Sequence, residues 1–155
     1  MIQRQYVFFF LPLLVIFCFI PVSFLAGQDI DLADPEKVAN HALIAIQEGD
    51  ADAMLQVMDP EQKKMYLPLT PDKRLGLQKM MENDKEKIGR VKKVSEIREC
   101  TTLSGKPGAA AKIRQKSDEL YVIILANQDN LYYYENLLTV TPDVYRNLKL
   151  IKKVR

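Results

Sequence analysis

The sequence predicts an α+β domain in which helices come first and antiparallel strands follow. Four short Asp/Thr-Pro-acid segments are typical of helix starts, because the first residue caps free N–H groups, proline suits the first turn and the acid favours the positive end of the helix dipole. From about residue 90, apolar residues change from helical spacing to the alternation typical of strands. The four starts are Asp34-Pro35-Glu36, Asp59-Pro60-Glu61, Thr70-Pro71-Asp72 and Thr141-Pro142-Asp143.

An apolar leader opens the chain. Residues 1–27 contain one charged side chain, Arg4, followed by the apolar run Val7–Ile20 and a finish of small residues, which predicts an export signal. The wider span Tyr6–Ala26 is also long enough to remain as an uncleaved signal anchor. In both cases Arg4 stays on the cytoplasmic side, so the rest of the chain is expected to be periplasmic or extracellular.

We therefore divide the chain into a signal peptide or anchor at residues 1–27, a linker at 28–34 and one domain at 35–155. The 22 Lys and Arg nearly balance the 20 Asp and Glu, so bulk charge does not indicate a nucleic-acid partner. Cys100 is the one cysteine beyond the leader, so no internal disulfide is expected and the core must hold the fold.

Three helices are predicted before the strands. The first covers about Pro35–Gln47, and Asp50 then caps a second, shorter helix, so that the two form a hairpin. After a turn of helix near Glu61–Tyr66, the third begins at Pro71. Its inner face is predicted from residues four and seven apart: Leu77, Met81 and Ile88.

Four strands are predicted, over Val91–Glu99, Ala109–Arg114, Leu120–Ala126 and Leu131–Leu138. The first needs a bulge because its apolar residues are out of phase. Leu120–Ala126 is continuously apolar, which is typical of a strand covered on both sides. A final helix from Pro142 is expected to turn three residues inward: Val144, Leu148 and Ile151.

The order of helix, Glu48-Gly49-Asp50 turn, helix, third helix and antiparallel strands resembles the nuclear-transport-factor-2-like superfamily over about Pro35–Leu138. The nearest resemblance is to small uncharacterised domains of bacterial exported proteins and lipoproteins, in which an "EGDADAMLQVM" type of hairpin precedes the strands. The resemblance implies a cone in which a curved sheet wraps the helices. Since the superfamily contains isomerases, dehydratases and cyclases as well as members that only bind or dimerise, it implies no single function. The chain also has no Trp, whereas one often closes the last strand in that family.

No motif for nucleophilic catalysis, zinc hydrolysis, redox chemistry or phosphate binding is present, and we expect no cofactor, no metal site and no assigned catalytic residue. Four side chains are candidates for lining a pocket in the cone: His41, Tyr121, Tyr132 and Tyr134. Tyr132 and Tyr134 should share one side of their strand, with Tyr133 and Glu135 on the other. Ordinary helix and strand packing explains the same residues without a ligand.

A basic stripe is predicted along the second strand. Lys112, Arg114 and Lys116 alternate with apolar residues and could meet an anionic lipid or protein, although a solvated strand face shows the same pattern.

The sequence thus favours a non-catalytic binding or accessory domain of the bacterial cell envelope, with a small apolar ligand or an envelope protein as its partner. One alternative is an isomerase- or dehydratase-type enzyme that uses the cone pocket. A second is a structural module that forms a homodimer through the sheet face. An enzyme requires a deep cavity with converging polar groups, a carrier a deep apolar one, and a scaffold a filled cone with an exposed apolar sheet.

Overall fold

The computed structural model describes residues 29–116 and 118–154, so the predicted leader at residues 1–27 lies outside the described residues. Within the described ranges, no helix combines the length and apolar character that crossing a bilayer requires. The described part of the chain is α+β, with helices followed by a five-stranded antiparallel sheet.

The helices begin where the capping patterns predict. At all four Asp/Thr-Pro starts, the side chain before the proline accepts a backbone N–H of the first turn. Asp50 does the same for the second helix, after Gly49 ends the first one in a left-handed conformation with φ of 69°. The helices are α1 Pro35–Glu48, α2 Ala51–Val57, α3 Pro60–Tyr66, α4 Pro71–Ile88 and α5 Pro142–Arg146.

The strands form one sheet in the order β4-β3-β2-β1-β5, and every neighbouring pair is antiparallel. Antiparallel neighbours need only short connections, which fits the turns found between β1 and β2 and between β3 and β4. The strands are β1 Glu96–Thr101, β2 Pro107–Lys116, β3 Glu119–Gln128, β4 Leu131–Val140 and β5 Leu150–Lys153.

One side of the sheet, the helix face, packs against α1 and α2, and α4 packs on these two helices. Leu43 of α1, Leu77 of α4 and Ile123 of β3 are fully buried in this main core. Burying each such side chain stabilises the fold by about 1.5–3 kcal/mol before entropy is counted. The predicted inner face of α4 is therefore confirmed.

The opposite side of the sheet, the back face, carries a second, smaller core. Leu120, Val122 and Ile124 of β3 pack there with Tyr145 of α5. The Tyr145 hydroxyl, which has one proton to donate, lies 3.0 Å from the Glu96 carbonyl oxygen and 3.3 Å from that of Ala110, which fixes α5 on the sheet. The prediction that Leu120–Ala126 is covered on both sides is confirmed.

The prediction for the C-terminal segment is wrong in part. The helix from Pro142 ends at Arg146, and residues 150–153 form β5 instead. Val144 is 57% exposed and Ile151 is 38% exposed, while Tyr145 provides the buried contact. The spacing of Val144, Leu148 and Ile151 fits a helix, but the segment instead pairs with the free edge of β1. There the Glu99 N–H donates to the Lys149 carbonyl at 2.7 Å. Such tertiary pairing overrides local pattern.

The first strand also starts later than predicted. β1 begins at Glu96, so Val94 is buried ahead of the strand and needs no bulge to reach the core. Three bulges occur elsewhere in the described residues, at Ile113 in β2, at Glu135 in β4 and at Ile151 in β5, where one residue of each strand has no partner opposite it. Each bulge reverses which side of the sheet the following residues face.

Candidate functional site

His41 lies on the buried side of α1, beside α2. The residue is 9% exposed, and its Nε2 is 3.1 Å from the Ala53 carbonyl oxygen. Burial lowers the pKa of His41, and this effect outweighs the Ala53 contact and the nearby Asp50, both of which raise it. The ring also borders an open groove of about 500 Å³ that Asp29 and Asn40 help to line. His41 therefore connects α1 to α2 as a neutral side chain.

This burial predicts a pH dependence of stability. Because the pKa of His41 is lowered in the folded chain, the unfolded chain binds more protons near the ordinary histidine pKa. The free energy of unfolding should therefore fall as the pH is lowered through that range. Urea unfolding at about pH 7.5 and about pH 5.5 measures it, since His41 is the one histidine in the chain.

His41→Gln supplies the control, because an amide can still donate to the Ala53 carbonyl but does not titrate in this range. The change in stability between the two pH values should shrink in that variant. An equal change in both proteins, or greater stability at the lower pH, would contradict this account of His41.

Tyr132 and Tyr134 share the helix face, as predicted. Tyr134 is 2% exposed inside the main core, and Tyr132 packs at its margin. Burial raises the pKa of Tyr134, with further contributions from Asp84 and Tyr66. The backbone of Tyr134 also accepts the Asp59 N–H at 2.8 Å, which joins β4 to the start of α3.

Tyr121 makes different polar contacts from Tyr132 and Tyr134. Its hydroxyl donates to Glu119 Oε2 at 2.9 Å, and the Lys116 ammonium lies 5.7 Å from its ring centre. Among the described residues, no hydrogen bond joins any two of the four pocket candidates. The structure therefore gives each of them a packing or local bonding role and does not join them into one polar site.

A buried acid, Asp84, is the residue that sequence reasoning missed. It is 7% exposed on α4, its Oδ1 lies 3.1 Å from Lys87 Nζ, and its charge contributes to the raised pKa of Tyr134. A signal was available: Asp84 is three residues beyond Met81 and four before Ile88, which places it on the inner face of α4.

The predicted basic stripe is divided by the bulge at Ile113. Lys112 pairs with Val122 of the back face, whereas Arg114 pairs with Tyr121, which belongs to the main core. Arg114 Nη1 donates to the Ile88 carbonyl at 3.2 Å, and Lys116 Nζ donates to that of Lys87 at 2.8 Å. The latter two therefore cover the C-terminal end of α4, where cations are favoured, whereas Lys112 lies opposite a back-face residue.

The back face contains a hollow of about 160 Å³, which we call the back-face hollow. Its walls come from β1 to β4 and from α5 and the residues that follow. The side chains that line it are apolar apart from the hydroxyl of Thr101, the thiol of Cys100 and the phenol of Tyr145. The lining residues are Cys100, Thr101, Ala110, Val122, Ile124, Leu138, Val140, Val144, Tyr145 and Leu148.

Cys100, in the wall of this hollow, is predicted to react slowly. Burial raises the pKa of its thiol from 9.0 to about 11, and the nearby charge of Glu135 adds to the effect. Since the thiolate is the reactive form, iodoacetamide at about pH 8 should alkylate Cys100 about a hundredfold more slowly in the folded chain than in urea. Peptide mass spectrometry follows the rate, and equal rates in both states would contradict the burial.

A buried polar cluster closes the end of the sheet next to the start of α3. Asp59 is 3% exposed, and its Oδ2 accepts Lys106 Nζ at 3.1 Å and Gln128 Nε2. Glu135 Oε1 accepts the Ser104 N–H at 3.2 Å, while Glu135 Oε2 is buried without a hydrogen-bond partner among the described residues. The cluster joins the β1–β2 turn to α3 and β4.

No three His, Cys, Asp or Glu side chains in the described parts of the chain are grouped so that they could hold a metal ion. Comparison with known proteins adds no assignment: no family model matches the chain, and no curated protein and no solved structure shows significant similarity to it.

Proposed function

We propose that this domain is an exported, non-catalytic accessory module of the bacterial cell envelope, which binds a partner protein through the back-face hollow. The hollow is the observation that carries the proposal. It offers about 160 Å³ of largely apolar space on a sheet face that α5 covers only in part. A small exported domain that holds another envelope protein fits both this surface and the predicted leader.

The size of the hollow favours a side chain over a free ligand. Pockets for small molecules measure about 300–1,000 Å³, whereas a cavity of about 150 Å³ accepts one benzene-sized ring. One protruding aromatic or aliphatic side chain of a partner would therefore fill it. Apolar anchors of this kind, surrounded by a polar rim, dominate the energy of many protein interfaces.

Polar side chains of α5 flank the hollow. Asp143 and Arg146 are the sequence neighbours of Val144 and Tyr145, which line it, and they pair with each other. Because these two charges are already paired, this side of the hollow is polar without a strong net charge.

The fold that we propose for this function is the cone of the nuclear-transport-factor-2-like superfamily. In its support, the β1–β2 turn contacts β4 through the Ser104 N–H and Glu135 Oε1, although β3 lies between β2 and β4 in the sheet. Such a contact fits a curled sheet. The helix side of this cone is filled by the side chains of the main core.

Photocrosslinking in the exporting cell tests the proposal. A benzophenone amino acid replaces Val144, at the mouth of the hollow, or Leu75, which is 52% exposed on α4 and serves as the matched control. We expect a covalent adduct with one envelope protein from position 144 and none from position 75. No adduct, or an adduct only with a second copy of this chain, would contradict the proposal; the latter would support the structural dimer.

An isomerase- or dehydratase-type enzyme is the second candidate, and Asp84 is the observation in its favour. Asp84 is a buried acid whose charge acts on the buried phenol of Tyr134, and proton-transfer enzymes use an acid and a tyrosine in one site. Against it, Asp84 is ion-paired with Lys87 and Tyr134 is almost fully buried. If the enzyme interpretation holds, a small molecule should co-purify with the native protein and be lost from the Tyr134→Phe variant, as native mass spectrometry would show.

A further inference from the structure

We infer that a second surface, at the C-terminal end of α4, binds the anionic headgroups of a membrane. This basic patch consists of Lys87, Arg90, Lys92, Arg114 and Lys116. It is separate from the back-face hollow, and the inference does not depend on the proposed partner protein.

Contacts of the fold bring the members of the basic patch together. The Arg114 guanidinium donates to the Ile88 carbonyl and lies so close to Gly89 that a Cβ there would be 2.8 Å from Nη1. Lys116 Nζ reaches the Lys87 carbonyl at 2.8 Å. The loop at residues 89–95 then runs along the end of β2, since the Ser95 N–H donates to the Lys112 carbonyl. The backbone between Gly89 and Ser95, which includes Arg90 and Lys92, therefore runs between Arg114 and Lys112.

All five side chains of the basic patch belong to exposed residues. The nearby acids are Asp84, which is paired with Lys87, the exposed Glu86 in the last turn of α4, and the exposed Asp118 and Glu119 beyond the end of β2. The five cations exceed these four acids, so the surface keeps a net positive charge. Clusters of Lys and Arg next to a membrane segment bind anionic lipid, at about 1 kcal/mol per residue.

The place where the chain leaves the predicted leader and enters the domain favours a membrane as the binding partner of the basic patch. Asp29 is the first described residue and lies two positions beyond the end of the predicted apolar leader. It lines the same groove as Asn40, whose Oδ1 accepts the Val94 N–H from the loop of the basic patch at 2.9 Å. If the leader remains in the bilayer, that loop lies close to the membrane surface.

Lysine footprinting of the natively exported protein, in the form the cell produces, tests the inference. The protein is mixed with phosphatidylcholine vesicles or with vesicles in which one lipid in four is phosphatidylglycerol. Acetylation rates are read by mass spectrometry at Lys92 and, as internal controls away from the patch, at Lys64 and Lys79. We expect at least fivefold protection of Lys92 on the anionic vesicles, with the controls unchanged. Salt at half-molar concentration should remove the protection, because it shortens the Debye length, the range over which charges interact, to about 4 Å.

The double variant Arg90→Gln/Lys116→Gln retains Lys92 as the reporter. Removal of two cations should weaken binding about 25-fold and abolish the protection, whereas the matched Lys64→Gln/Lys79→Gln variant should keep it. Equal labelling of Lys92 on neutral and anionic vesicles would overturn the inference. Protection of Lys92 that appears only when envelope protein is added, and that is equal on neutral and anionic vesicles, would also overturn the inference. It would indicate that the basic patch binds an acidic protein.

Discussion

Replacement of Gly108 by alanine is expected to destabilise the domain by about 3 kcal/mol or more, because there is no room for a side chain. An added Cβ at this position of β2 would lie 2.1 Å from the Leu125 carbonyl oxygen and 2.6 Å from Thr102 Cγ2. The carbonyl belongs to the neighbouring strand, so relief requires β2 and β3 to separate. Equilibrium unfolding in urea, followed by circular dichroism, measures the loss.

Gly76 provides a control of opposite sign. It lies on the exposed side of α4, and an added Cβ there meets nothing within 4 Å. Gly76→Ala should therefore raise the free energy of unfolding by up to about 1 kcal/mol, since alanine loses less backbone entropy in a helix. If both glycine variants shift stability in the same direction, the described packing of β2 against β3 is wrong.

Replacement of Asp59 by alanine is expected to cost about 3 kcal/mol. The carboxylate caps α3 through the Glu61 N–H and also holds Lys106 and Gln128 in a nearly dry position. Loss of one member of a buried ion pair leaves the partner charge uncompensated. The cost stays near the lower end of the usual range because the Lys106 side chain, one third exposed, can turn to water. Urea unfolding measures it.

Two matched variants separate the cap from the ion pair. Asp50 caps α2 but is not part of a buried ion pair, so Asp50→Ala should lower the free energy of unfolding by only about 1 kcal/mol. Asp59→Asn keeps a good capping side chain and loses only the charge, and should fall between the two. An Asp59→Ala cost no larger than that of Asp50→Ala would show that the buried cluster does not stabilise the fold.

The helices could be predicted because their start signals are local. Each Asp/Thr-Pro segment contains the atoms that cap its own helix, and Gly49 supplies the left-handed residue that ends α1. Strand β3 could also be predicted, because a short continuous apolar run next to a turn is typical of a strand buried on both sides.

The remaining features depend on tertiary contacts that no local pattern contains. A bulge at Ile113 decides that Arg114 faces α4, and alternation along the strand gives no sign of it. β5 forms because β1 offers a free edge, although the spacing of Val144, Leu148 and Ile151 fits a helix. The back-face hollow needs residues from six segments, so it could not be anticipated from sequence.

The most direct test of the central claim is the affinity of the crosslinked partner for the native chain and for two variants, measured by isothermal titration calorimetry. The account predicts that Val144→Asp, which places a charge at the mouth of the back-face hollow, weakens binding at least tenfold, while Leu75→Asp binds as the native chain does. Equal affinity of the native chain and Val144→Asp would contradict it.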